Sequence, residues 1–218
     1  MKVEKLFSPL KVFEECVVVI DVLRAFTTAA YVFAQGASRI IAVKEIDEAF
    51  TLKKSYPNAL LMGELHALLI PGFDLGNSPH LVQDRDLTGR TLIQRTGRGT
   101  RGVAEAIGSK IIIVASFVVA EATVRRIRSL HPQKVSFLIT EGDEDLALAD
   151  YLEAKLTQPS VDPQPYLERV RVSPTADHLR QLGETFSADV EAAIQLDRFN
   201  FAMQIAKEDG WPVIYPMA

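Results

Sequence analysis

The 218-residue chain carries 24 Lys and Arg against 28 Asp and Glu, and 48% of its residues are apolar. That suffices for one substantial domain or two small lobes with a buried core, and it excludes wholesale disorder. A net charge of −4 argues against a general nucleic-acid binder, which carries a basic excess, and the lone Cys16 excludes an internal disulfide or a CxxC metal site.

Short β-branched runs alternate with helical patterns over residues 1–156. Val17 to Ile20 reads as a buried strand, followed by a small-residue helix from Ala25 to Gln35 that stops at Gly36. Arg39 to Val43 is the next strand, Asp47 to Tyr56 a helix closed by Pro57, and Ala59 to Met62 a third strand. The two Gly, two Pro and Asn of Pro71 to Pro79 make that stretch a loop. Strand Thr91 to Gln94, a Gly-rich turn and helix Arg101 to Ile107 come next. Then come strand Lys110 to Ala115, helix Ala120 to Leu130, strand Val135 to Ile139 and helix Glu144 to Leu156. Such alternation predicts a three-layer α/β/α fold around a largely parallel or mixed sheet.

The character changes after Leu156. Thr157 to Pro165 holds three prolines and reads as a linker. Tyr166 to Lys207 reads as helix-rich, broken at Pro174 and Gly183, and Trp211 to Tyr215 as a final strand. The expected organisation is therefore an α/β core over 1–156 and a helical C-terminal segment over 157–218 packed on the same domain. No secretory signal is visible at the N-terminus, and the greasiest window, Ile111 to Ala120, is about half the length needed to span a bilayer. The expectation is a cytoplasmic protein with no membrane or nucleic-acid partner, and with room for homo-oligomerisation.

In open α/β sheets, ligands sit beyond the carboxyl ends of the strands. The residues there are unusually polar: Asp21 to Thr28, Gly63-Glu64, Arg95 to Arg101, and Thr140 to Asp145. Glycines allow backbone N–H groups near an anion, a helix starting at Thr100 adds its dipole, and arginines add bidentate donors. Carboxylates at separate strand ends can converge on Mg²⁺, a cation that prefers oxygen ligands. Taken singly, Asp21 also suits a helix cap, Thr27 and Thr28 a helix surface, and Glu144 and Asp145 a first turn. The turn Thr96 to Gly102 lacks P-loop spacing. Of the histidines, His66 and His80 flank the glycine-rich loop and are proton-transfer candidates, whereas His131 and His178 read as surface residues. Cys16 reads as a core residue.

Asp21-Val22-Leu23-Arg24-Ala25-Phe26-Thr27-Thr28, Gly63-Glu64 and the stretch Gly72-Phe73-Asp74-Leu75-Gly76-Asn77-Ser78-Pro79 together resemble the ComB-type 2-phosphosulfolactate phosphatases. Thr96–Arg101, Ser116-Phe117 and Glu144-Asp145 follow in that family's order, so the resemblance covers roughly residues 15–156. It implies an α/β fold and a Mg²⁺-dependent acid phosphatase for a small anionic phosphate ester of three carbons, on the route to coenzyme M where that route exists. Carried over by position, Asp21, Glu64 and Asp74 are the catalytic candidates, and with Asp145 they form the pool of metal ligands. Substrate contacts fall to Arg24, Thr27, Thr28, Asn77, Ser78, Thr96, Arg98, Gly99, Thr100 and Arg101.

Three departures stand out. The family's TTNGT is here Thr96-Gly97-Arg98-Gly99-Thr100, the Asn two residues after Ser116-Phe117 is Val119, and the Arg after Gly-Glu is Leu65. They motivate an alternative, a catalytically degenerate relative that binds a phospho-metabolite without turning it over. Within the enzyme reading, attack by water is favoured over an aspartyl-phosphate at Asp21, because residue 23 is Leu and the DxD spacing is absent. A sugar-phosphate or nucleotide enzyme finds no GxGxxG fingerprint.

Overall fold

A computed structural model describes residues 1–9 and 14–218. Among the described residues, ten strands form one sheet: β1 (Lys2–Phe7), β2 (Cys16–Ile20), β3 (Arg39–Val43), β4 (Leu60–Leu65), β5 (Leu68–Leu69), β6 (Thr91–Arg95), β7 (Ile111–Ala115), β8 (Lys134–Ile139), β9 (Ala202–Glu208) and β10 (Trp211–Met217). The helices are α1 (Ala25–Ala34), α2 (Ile46–Ser55), α3 (Pro79–Val82), α4 (Gly99–Ala106), α5 (Ala120–Leu130), α6 (Gly142–Thr157), α7 (Gln164–Arg171), α8 (Pro174–Leu182) and α9 (Glu184–Ala193). A 3-10 turn, Phe117–Val119, leads into α5.

The strand order is β1-β8-β2-β7-β9-β10-β3-β6-β4-β5. It comprises two parallel blocks, β1-β8-β2-β7 and β3-β6-β4, joined by the antiparallel hairpin β9–β10. Alternate residues of β2 face opposite layers: Val17 and Val19 pack with α1 and α4, while Cys16, Val18 and Ile20 pack with α5 and α6. β2 is buried on both faces, which is why it reads as an unbroken apolar run. Truncating such a residue, Ile20 for example, costs about 2–5 kcal/mol.

Three strands depart from the expectation, the two-residue β5 and the longer β9 and β1. Ala202 to Lys207 reads as helix-rich because Ala, Met, Gln and Lys are good helix formers, yet it belongs to β9. Pairing along the whole of β10 and against β7 overrides local propensity. The tail thus contributes two strands to the middle of the sheet. β1 has no continuous apolar signature because it is an edge strand, with Glu4 and Lys5 engaged in ion pairs across its flank.

Three antiparallel steps separate β7 from β3, so the two parallel blocks run in opposite senses along the order. In a flat sheet their carboxyl ends would lie at opposite edges. Here the hairpin pairs with each neighbour over only two residues, Ile113 and Val114 on one side and Ile40 and Ile41 on the other. Even so, α4 touches β2, β3 and β7. The ends of β2, β4 and β6 meet at one place, with Gly99 against Asp21 and the Gly97 N–H on Glu64.

Candidate active site

The segments following β2, β4, β6 and β8 meet α8 around a cleft of about 330 Å³. Asp21, Arg24, Glu64, His66, Asn77, Thr96, Gly97, Arg98, Glu141, Thr175 and His178 line it.

Asp21 ends β2 and is buried, with its Oδ1 accepting the Ala25 N–H at 2.8 Å. Burial pushes its pKa up to about 7, and the Glu144 and Glu64 carboxylates add to the rise. The Ala25 and Gly99 N–H groups pull the other way. Gly99 is required at this approach: a Cβ there would lie 2.8 Å from Asp21 Oδ2 and 2.6 Å from the Ala25 Cβ.

Glu64 is also buried, at the end of β4. It accepts the Gly97 N–H at 2.5 Å and the Ala67 N–H at 2.8 Å. His66 and Ala67, both at positive φ, form the strained turn between β4 and β5, and that turn sits in the cleft wall. The Gly-rich segment therefore wraps its Gly97 and Gly99 N–H groups around two carboxylates. The anion cradle expected there is not formed by those groups.

Asp145, in the first turn of α6, uses both oxygens internally. Oδ1 accepts the Val22 N–H at 2.8 Å, and Oδ2 accepts the Thr140 hydroxyl at 2.9 Å and the Glu141 N–H at 3.1 Å. Burial and the Asp21 charge hold its pKa well above the carboxylate range. Its neighbour Glu144 is buried, its Oε2 has no hydrogen-bond partner, and burial raises its pKa against the nearby Thr175 and Ser173 hydroxyls. Among the described residues, none of Asp21, Glu64, Glu144 and Asp145 belongs to an ion pair. The arginines of the cleft are matched elsewhere, Arg24 to Asp189 and Arg98 to Glu141.

Several expected contacts lie elsewhere. Asp74 is exposed and outside the cleft: its Oδ2 accepts the Leu61 N–H at 2.8 Å and lies 3.9 Å from Lys53, pinning the loop to the start of β4. Thr27 and Thr28 are fully buried and donate to the carbonyls of Val22 and Arg24. Thr96 lines the cleft, but it and Thr100 clasp each other through backbone and hydroxyl groups at 3.0–3.1 Å. Ser78 caps α3 and donates to Asp189, and Arg101 is exposed and absent from the cleft lining. Asn77 does line it, with a buried Oδ1 that lacks a partner. Arg98 sits at the rim, its Nε 2.8 Å from Glu141.

His66 lies in the cleft wall, whereas His80 contributes only its backbone N–H, to Asp189. His178, read as a surface residue, is exposed and also lines the cleft with Thr175 of α8. Val119 is fully buried and lines no part of it. Cys16 is buried in the core, and burial pushes its thiol up to about 12, which removes it from nucleophilic chemistry. Among the described residues, no helix is long and apolar enough to cross a membrane.

The sequence profile of 2-phosphosulpholactate phosphatase matches residues 4–208. The chain belongs to that family. A probable 2-phosphosulfolactate phosphatase of Bacillus subtilis is 33% identical over 200 residues, covering 88% of this chain and 87% of that protein. One from Carboxydothermus hydrogenoformans is 34% identical over 235 residues, covering 98% and 97%. A third, from Thermotoga petrophila, is 45% identical over 112 residues, about half of each chain. The family match thus reaches beyond residue 156, through α8, α9 and β9. The membership identifies the chain as a phosphoric monoester hydrolase by family, built on the α/β fold described above.

Proposed function

We propose that the protein hydrolyses 2-phosphosulfolactate or a close phosphorylated hydroxy acid, and that it works with Mg²⁺ in the reducing cytoplasm. One observation carries the reading: two buried carboxylates that no side-chain cation balances, Asp21 and Glu64, face a small cleft beside Arg24 and Arg98. A cleft of about 330 Å³ suits a three-carbon ligand.

The donor set accords with Mg²⁺, though with a smaller set of residues than the four-carboxylate pool. Asp74 and Asp145 both lie outside the cleft lining, whereas Asp21 and Glu64 belong to it, and among the described residues no three His, Cys, Asp or Glu converge on one point. Asp21 and Glu64 remain, and Mg²⁺ characteristically takes one or two carboxylates, the rest of its shell coming from water and phosphate. The orphaned Glu144 Oε2 and the raised pKa values of Asp21, Glu144 and Asp145 mark an excess of negative charge that a cation would relieve. When bound, the ion would offset charge on the phosphoryl oxygens.

The chain's own residues supply the rest. Arg24 and Arg98 present guanidinium donors to the anionic groups of the substrate. Asn77 offers an amide that no protein group occupies at its oxygen. Asp21 and Glu64 are the carboxylates of the cleft wall, and the one not occupied by the ion can take the proton of an attacking water and return it to the leaving alkoxide.

The binding-only alternative rested on Gly97, Arg98 and Val119. Val119 lies in the core, Gly97 donates to Glu64, and Arg98 adds a cation at the rim, so none of the three empties the cleft. The test is phosphate release from racemic 2-phosphosulfolactate and from phospholactate, with Mg²⁺ and after EDTA. Release that needs Mg²⁺ is expected. Ligand binding by ³¹P NMR without release from either ester would overturn the enzyme reading.

A further inference from the structure

Asp189 of α9 lies outside every motif that carries the resemblance, yet it is fully buried beside the cleft. Its Oδ2 accepts from Arg24 Nη1 at 2.6 Å. Its Oδ1 accepts from the Ser78 hydroxyl at 2.6 Å and the His80 N–H at 3.1 Å. The carboxylate is thereby locked in one rotation, with one oxygen held by the loop before α3 and the other turned to Arg24.

Arg24 is held on three sides. Its Nη2 donates to the Ala67 carbonyl at 2.7 Å, and its guanidinium lies 5.0 Å from the centroid of the Phe186 ring, one turn before Asp189 on α9. The Ala67 N–H in turn donates to Glu64. One line of bonds therefore runs from α9 through Asp189, Arg24 and the strained turn to a cleft carboxylate. Guanidinium has five N–H donors, and the partners named engage only part of them while Arg24 lines the cleft. A buried ion pair seldom stabilises a fold more than apolar residues of like volume. Orientation of a cation against substrate is the better account of this one.

We propose that Asp189 is a positioning residue of the site, holding the Arg24 guanidinium at the angle that meets the substrate's anionic group. This rests on the phosphatase reading above. Misplacing one such donor by about 1 Å costs on the order of 10²-fold in turnover.

The test compares Asp189→Asn, Arg24→Gln, the double variant and Ser78→Ala by phosphate release at 25 °C, with circular dichroism to verify the fold. Asp189→Asn is expected to raise KM for 2-phosphosulfolactate at least tenfold. The double variant should fall within about threefold of Arg24→Gln alone, since Asp189 acts through that arginine. Ser78→Ala, which keeps both charges but leaves the Asp189 Oδ1 held by the His80 N–H alone, should raise KM about threefold. A folded Asp189→Asn protein with unchanged KM and only a lower unfolding midpoint would reduce Asp189 to a structural role and overturn the proposal. If that variant does not fold, the neutral double variant decides: parity with Arg24→Gln supports the proposal, and a further tenfold loss refutes it. Should the wild-type chain release no phosphate, the phosphatase reading falls by itself. Positioning is then read from titration with inorganic phosphate, where tenfold weaker binding by Asp189→Asn supports it and unchanged binding refutes it.

Discussion

Asp21→Asn should inactivate the protein and, above neutral pH, make it more stable. The folded protein holds the Asp21 proton to about pH 7, whereas the unfolded chain releases it near 3.8. Between those limits the folded state binds more protons than the unfolded state, so stability falls as pH rises. Each pH unit in that window is worth about 1.4 kcal/mol, so wild type loses about 3 kcal/mol from this group between pH 5 and pH 8. The substituted amide keeps the acceptor for the Ala25 N–H but turns a donor toward the Gly99 N–H, at a cost of about 1 kcal/mol. Asp21→Asn should thus be stabilised relative to wild type by about 2 kcal/mol or more at pH 8 and by little at pH 5. Urea unfolding of both proteins at the two pH values, in EDTA, measures this directly. Mg²⁺ added at pH 8 should then stabilise wild type and leave Asp21→Asn unmoved. Equal effects of the substitution at pH 5 and pH 8 would refute the argument, because the burial penalty on the Asp21 charge would then be absent.

Gly99→Ala places a methyl group against Asp21 and the Ala25 Cβ, neither free to retreat; thermal unfolding should show a loss of about 1–3 kcal/mol and the phosphatase assay at least a tenfold drop. Glu64→Gln leaves one of the Gly97 and Ala67 N–H groups without an acceptor, so about 1–3 kcal/mol of stability and about 100-fold in activity should be lost. Asp74→Asn, by contrast, should keep kcat/KM within about threefold, since the Leu61 N–H can still bond the amide oxygen. A collapse of activity in Asp74→Asn would return that residue to the catalytic set.

The alternation of strands and helices from Val17 to Leu156 was legible because β2, β7 and β8 are buried on both faces, so β2 and β7 are apolar throughout and β8 is broken only by Lys134 and Ser136. β9 was not, because its residues favour helix and only the partners β10 and β7 make it a strand. Asp189 left a faint trace: it interrupts the apolar stripe of Phe186, Val190 and Ala193 at helical spacing, a position where a carboxylate must find a partner. That the partner is Arg24, 165 positions earlier in the chain, no local pattern could say.

The motifs by themselves determined which chemistry is present: carboxylates, arginines and glycines at strand ends, and a family of phosphatases they resemble. Side-chain direction was decided only by tertiary packing. The loop from Gly72 to Pro79 turns Asp74 away and delivers Asn77. The Gly97 and Gly99 N–H groups face carboxylates instead of an incoming anion. The hairpin β9–β10 joins two opposed parallel blocks, α8 lines the cleft with His178, and Asp189 of α9 holds the cleft residue Arg24. The net charge of −4 gives no hint of this arrangement, in which Asp21, Glu64, Glu144 and Asp145 are buried close together and, among the described residues, none belongs to an ion pair. A residue's type is a property of the chain, whereas the dielectric and the neighbours that set its charge and aim exist only once distant segments have packed.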